Sequence, residues 1–110
     1  MKNIEALKSL CNAIASSFYP DEPTMRLMLM NEGMDGNDYA SRKDATLLKI
    51  AVKLVMGYVE TSRNEQGISV SVDRGQIVRN IRMWCVDYGL DADDILSDYV
   101  RVVSNGTNLW

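Results

Sequence analysis

The run ATLLKIAVKLVMGYV, residues 45–59, constrains this chain more than any other stretch. Apolar side chains fall at Leu47, Leu48, Ile50, Ala51, Val52, Leu54, Val55, Met56, Tyr58 and Val59, which leaves Lys49, Lys53 and Gly57, spaced by four, as a thin stripe of other character. A helix that is apolar on nearly every side has to be covered by other elements. A membrane span would need about 20 uninterrupted apolar residues. Here two lysines sit inside the run, Arg42, Lys43 and Asp44 precede it, and Glu60 and Arg63 follow. The reading is a buried central helix, wrapped by helices of the same chain or of neighbouring copies.

The 110 residues fit a single domain. Ile4, Leu7, Leu10, Cys11, Ile14 and Phe18 recur at steps of three and four, which predicts a first amphipathic helix over about 4–17, with Asn3 placed to cap it. Tyr19 and Pro20 stop that helix. Asp21 and Pro23 are start signals for a second helix, carried by Met25, Leu27, Met28, Leu29 and Met30 to Gly33, a residue suited to the left-handed turn that ends many helices. The stretch MDGNDYAS, residues 34–41, is turn-rich and reads as the loop to the central helix, which Ser41 or Asp44 can cap.

After the polar TSRNEQG the periodicity changes. Ile68, Val70 and Val72 alternate with Ser69 and Ser71, the two-residue period of a strand. One short strand needs a partner for its backbone, supplied either by residues 99–103 of the same chain or by another molecule. Asp73 and Gln76 have the form of a capping box, and Ile77, Val78, Ile81, Trp84, Cys85 and Tyr88 then trace one helical face that ends at Gly89. Asp91 can cap a last short helix over 92–97, with Asp93 and Asp94 at its positive end. Residues 98–104 fit helix and strand equally, since Ile95, Tyr99 and Val103 keep a helical step while the β-branched side chains favour extension.

Composition narrows the chemistry. The chain has no histidine, the commonest general base and the usual metal ligand. Its net charge of −3 opposes sequence-independent nucleic-acid binding, which rests on a basic footprint. Cys11 and Cys85 belong to no CxxC pair, so they read as reduced, buried thiols of an intracellular protein, and the start MKNIEALKSL lacks the apolar core of a secretory signal. Asp87, Asp91, Asp93, Asp94 and Asp98 match no known ligand loop and read as caps and solvated surface. The loop residues Asp35, Asn37 and Asp38 lack the order of a calcium-binding EF-hand. Met25, Met28, Met30 and Met34 form a soft apolar patch suited to core filling or to an adaptable surface. Arg74, Arg79 and Arg82 on the fourth helix are a solvated or inter-subunit face, or, as the alternative, the footprint of a small DNA-binding module using helix 74–88. A helix-turn-helix would carry another helix three or four residues upstream. The alternating arm occupies that place.

The segment Glu65-Gln66-Gly67-Ile68-Ser69-Val70-Ser71-Val72-Asp73, between an apolar helix and an amphipathic one, resembles a pattern of small tailed-phage and prophage head–tail connector proteins, the head completion or adaptor proteins. The plan is similar over most of the chain: an N-terminal helix, an Asp- and Gly-rich loop, a long buried helix, the arm and another helix. The resemblance implies a protein without catalysis or cofactor that assembles as a ring between portal and tail, its arm exchanging contacts with neighbouring subunits. It also implies assembly in the cytoplasm and residence in the virion.

The expected fold is therefore mainly α, a single domain of four to five helices packed around a central buried helix at about 45–60, with one extended β arm at about 68–72. The expected function is structural. Ile68, Val70 and Val72 form the apolar contact side of the arm, Ser69 and Ser71 its rim, and Arg74, Arg79 and Arg82 supply ion pairs to an adjacent subunit. Itself and other virion proteins are the expected partners, with no membrane and no specific nucleic acid among them.

Overall fold

A computed structural model describes residues 1–16, 18–64 and 74–97, with side chains through residue 60 in the helix that ends at Asn64. Four helices follow in order: α1 at Asn3–Ile14, α2 at Glu22–Asn31, α3 at Ala45–Asn64 and α4 at Arg74–Asp87. A fifth short helix, α5, covers 92–97. The protein is a small helical bundle, as the periodicity implies. The expected arm at 68–72, its expected intrachain mate at 99–103 and the expected cap Asp73 lie outside the described residues. Among the described residues the extended pairing is one antiparallel bridge, Lys2 with Tyr39.

The centre of the bundle is α3. Leu47, Leu48, Ile50, Ala51, Val52, Val55, Met56 and Val59 are buried, and Lys49, Lys53 and Gly57 are the exposed stripe read from their spacing. The cover comes from the same chain. Leu7, Leu10, Cys11 and Ile14 of α1, Met25 and Leu29 of α2, Ile77, Ile81 and Cys85 of α4, and Leu96 of α5 join one continuous core with it. No helix among the described residues is long and apolar enough to cross a membrane.

Local chemistry fixes the helix ends. Asp21 caps α2 by accepting from the Thr24 backbone N–H at 3.1 Å and its hydroxyl at 2.9 Å. Asp44, rather than Ser41, caps α3 through the Thr46 N–H at 2.9 Å. Asp91 caps α5 through the N–H groups of Asp93 and Asp94. Gly33 and Gly89 have φ of +76° and +71° and close α2 and α4 in the same way. In each, the residue after the glycine donates back to the carbonyl five residues earlier, Met34 to Leu29 and Leu90 to Cys85.

Two expectations need correction. Asn3 is not the cap of α1. Lys2 holds that position, with Glu5 Oε1 accepting its backbone N–H at 2.8 Å, and Asn3 is the first helical residue, 4% exposed. The reason lies in the loop: the carbonyls of Asp38 and Gly36 accept from the N–H groups of Asn3 and Ile4 at 2.7 and 3.0 Å, so loop backbone satisfies the free donors of the first turn. The Asn3 side chain then donates to the Asp35 carbonyl at 2.9 Å. Also, α1 stops at Ile14 rather than near residue 17, because Ala15 turns extended and the Ile14 carbonyl is taken by Asn80 of α4 at 3.0 Å. Leaving the helix there lets the Phe18 ring stack on Tyr58 of α3, with centroids 4.6 Å apart.

Candidate functional site

α4 carries the described part of the expected site. Its inner side, Ile77, Ile81 and Cys85, is buried, with Val78, Trp84 and Tyr88 partly so, the face read from the sequence. Its outer side presents Arg79, Met83, Val86 and Asp87 to solvent, with Met83 66% and Val86 77% exposed. These four follow one another at steps of four, three and one, so they form a continuous stripe along the helix. The apolar pair in its middle was not singled out in the sequence, although its spacing opposite the Ile77–Ile81–Cys85 series could have revealed it.

The three arginines have separate fates. The Arg82 guanidinium pairs within its own chain with Asp93 of α5 at 2.7 Å, an exposed pair of the kind that contributes little. Arg79 is exposed and makes no ion pair with a described residue. Arg74 is half-buried, and its Nε and Nη2 are shielded from solvent without a hydrogen-bond partner among the described residues. Ile68, Ser69, Val70, Ser71 and Val72 lie outside the described residues.

Acidic groups flank the second half of α4. Asp87 pairs with Lys43 at 3.4 Å across an exposed surface, and Asp91, Asp93 and Asp94 surround the start of α5. Asp91 is the cap read from the sequence, Asp87, Asp93 and Asp94 lie on the exposed surface as expected, and Asp87 and Asp93 each meet a basic side chain there. Among the described residues no group of three or more acidic or thiol side chains is gathered to hold a metal ion. The acidic surroundings set the local field against a phosphate backbone.

Open grooves border the bundle among the described residues. One, about 500 Å³, runs beside α1 and the loop before α3, with Leu10, Ala40, Trp84 and Tyr88 among its walls. The Trp84 and Tyr88 rings meet edge to face at 6.1 Å. Burial, reinforced by Asp87 and Asp44, raises the Tyr88 hydroxyl above its ordinary pKa, so the phenol stays neutral. Another, about 240 Å³, lies where Asn31 and Glu32 at the end of α2 meet Lys49 and Lys53 of the α3 stripe.

The thiols are chemically quiet. Burial pushes Cys11 up to about 12, which keeps it protonated at neutral pH. Cys85 is also raised by burial, with Arg82 opposing and Asp91 reinforcing the shift. The methionines divide: Met25 fills the core, Met28 and Met34 are half-buried, and Met30 is exposed. What the arrangement offers is an outward helix face of apolar and charged side chains on a finished core. Among the described residues that is a mainly helical protein with an exposed helix face of mixed character.

The chain belongs to DUF6706, a family of unknown function, which it matches over residues 1–110. No curated protein and no solved structure matches it.

Proposed function

We propose that this chain is a non-enzymatic structural subunit of a phage or prophage, similar to a head–tail connector, that works by binding further copies of itself and other virion proteins such as portal or tail components. The observation that carries the reading is the outer stripe of α4, where Met83 and Val86 stand exposed between Arg79 and Asp87. Methionine and arginine are enriched at protein interfaces, and an apolar centre with a charged rim is the usual layout of one. This helix follows directly on the segment 65–73 whose sequence resembles the connector arm. The described residues already form one continuous core within one chain, so self-association here would be a matter of surface and arm. Assembly in the cytoplasm and residence in the virion follow from the same reading.

Solution mass tests it. Sedimentation of the full chain across a range of concentrations is expected to show species larger than one chain, while a strict monomer at the highest concentration would count against the proposal. The alternative, a DNA-binding module using α4, draws on Arg74 and Arg79 and is weakened by the Arg82–Asp93 pair and the neighbouring carboxylates. Fluorescence anisotropy with duplex DNA separates the two. Affinity that falls steeply as salt rises belongs to the module, and its absence to the structural subunit.

A further inference from the structure

We infer that the outer face of α4 is a two-fold contact, on which a second copy of this chain docks with its own α4 running antiparallel. The inference rests on the reading of the chain as a self-associating subunit and adds to it a surface and a symmetry. The charge pattern carries it. Arg79 and Asp87 lie four residues before and four residues after Met83 on the same exposed side of the helix. They are therefore about 6 Å up and down the axis from it, at the rise of an α-helix. Turning a second helix end for end about Met83 brings each Arg79 level with the partner copy's Asp87, and each Asp87 level with the partner copy's Arg79. The apolar pair, Met83 and Val86, falls between the two crossed ion pairs.

A parallel arrangement in the same register would instead set Arg79 against Arg79 and Asp87 against Asp87, which repels. The stripe is thus complementary to itself in one orientation, the requirement for a contact in which the same patch serves both partners. Among the described residues the neighbouring groups leave it open. Arg82, to one side, is already engaged by Asp93, and Asn80, to the other, is turned inward to the Ile14 carbonyl. Asp87 meets Lys43 at 3.4 Å on an exposed surface, and a carboxylate has a second oxygen for an arginine.

The decisive experiment combines solution mass with symmetry. Wild-type chain, followed by sedimentation from about 10 µM to about 1 mM, the range in which a small interface associates, is expected to form dimers. Met83→Glu, a change at an exposed position with circular dichroism as the check on folding, is expected to weaken that association at least about tenfold. Arg79→Asp and Asp87→Arg, each alone, are expected to weaken it similarly, and the double exchange to restore it to within about threefold of wild type. Met83→Cys is expected to give a disulfide-linked dimer on mild oxidation, since the two-fold axis brings residue 83 against its own copy and both native thiols are buried. If the wild type associates but Met83→Glu and the charge exchanges leave its mass unchanged, the α4 contact is overturned while self-association stands. If dimers vanish in Met83→Glu and nothing larger forms in the wild type, the contact stands and the ring falls. A wild type that stays monomeric throughout overturns both.

Discussion

Asn80 Nδ2 of α4 donates to the carbonyl oxygen of Ile14, the last residue of α1, at 3.0 Å. The bond joins residues 66 apart in sequence and fills one of the carbonyls that a helix end leaves open. Gln76 Nε2, one turn earlier on α4, donates in turn to Asn80 Oδ1 at 3.0 Å, which fixes the amide orientation. Asn80→Ala is therefore expected to lower unfolding stability by about 1–2 kcal/mol, the cost of leaving a partly buried acceptor unpaired. Urea titration checks it. An unchanged slope with a lower midpoint is the expected form, because the bundle stays one cooperative unit.

Gly36 is buried where the loop crosses α1. A Cβ there would come within 3.1 Å of Arg26 Nη1, 3.4 Å of Ile4 Cβ and 3.6 Å of Leu29 Cδ1. The arginine end can swing aside at the loss of its 3.3 Å bond to Asn37, so Gly36→Ala is expected to cost only about 1 kcal/mol. Gly36→Val has no such escape, since its added methyls meet the core side chains of Ile4 and Leu29. It is expected to cost about 3 kcal/mol and to loosen the carbonyls that hold the first turn of α1, which amide hydrogen exchange at Asn3 and Ile4 would register.

These two sites show what the sequence discloses and what it withholds. Helical periodicity located the buried faces of α1, α3 and α4, because a side chain's direction from a helix depends on local spacing alone. The glycines at 33 and 89 and the aspartates at 21, 44 and 91 were legible for the same reason: caps are settled within a few residues. The end of α1 was not legible, since the group that takes the Ile14 carbonyl comes from a helix far along the chain. Asn3 looked like a cap until the Asp35–Asp38 carbonyls took over that role through space. Of the candidate surface, the arginines were visible but the Arg82–Asp93 pair was not, because it depends on how α5 folds back on α4.

Lys43 has a φ of +49°, a left-handed backbone that costs a side-chain-bearing residue about 1 kcal/mol or more. Its ammonium gains little in return, because the contact with Asp87 is exposed at both ends. Lys43→Gly relieves the backbone, whereas Lys43→Ala keeps the strain and loses the ion pair. Thermal unfolding is expected to place the glycine variant about 1 kcal/mol above the alanine variant and at or slightly above wild type. Equal stability of the two variants would show that the turn before α3 yields without strain.

Cys11 ties stability to alkaline pH with a definite sign. Its thiol titrates near 9.0 when exposed and at about 12 in the folded protein, because burial disfavours the thiolate. Below about pH 9 both states hold the proton and the difference contributes nothing to the pH dependence. Above it the unfolded chain ionises while the folded one does not, so the unfolded state gains about 1.4 kcal/mol per pH unit until the folded thiol also titrates. Stability is therefore expected to fall by about 2 kcal/mol between about pH 8 and about pH 10.5, with the raised Tyr88 and Cys85 adding in the same direction. Cys11→Ala is expected to begin lower at pH 8, through the space it opens in the core, yet to lose less on going to high pH, since one proton-linked group has been removed. Urea midpoints of the two proteins across that window decide it, and parallel curves would place the alkaline sensitivity elsewhere in the chain.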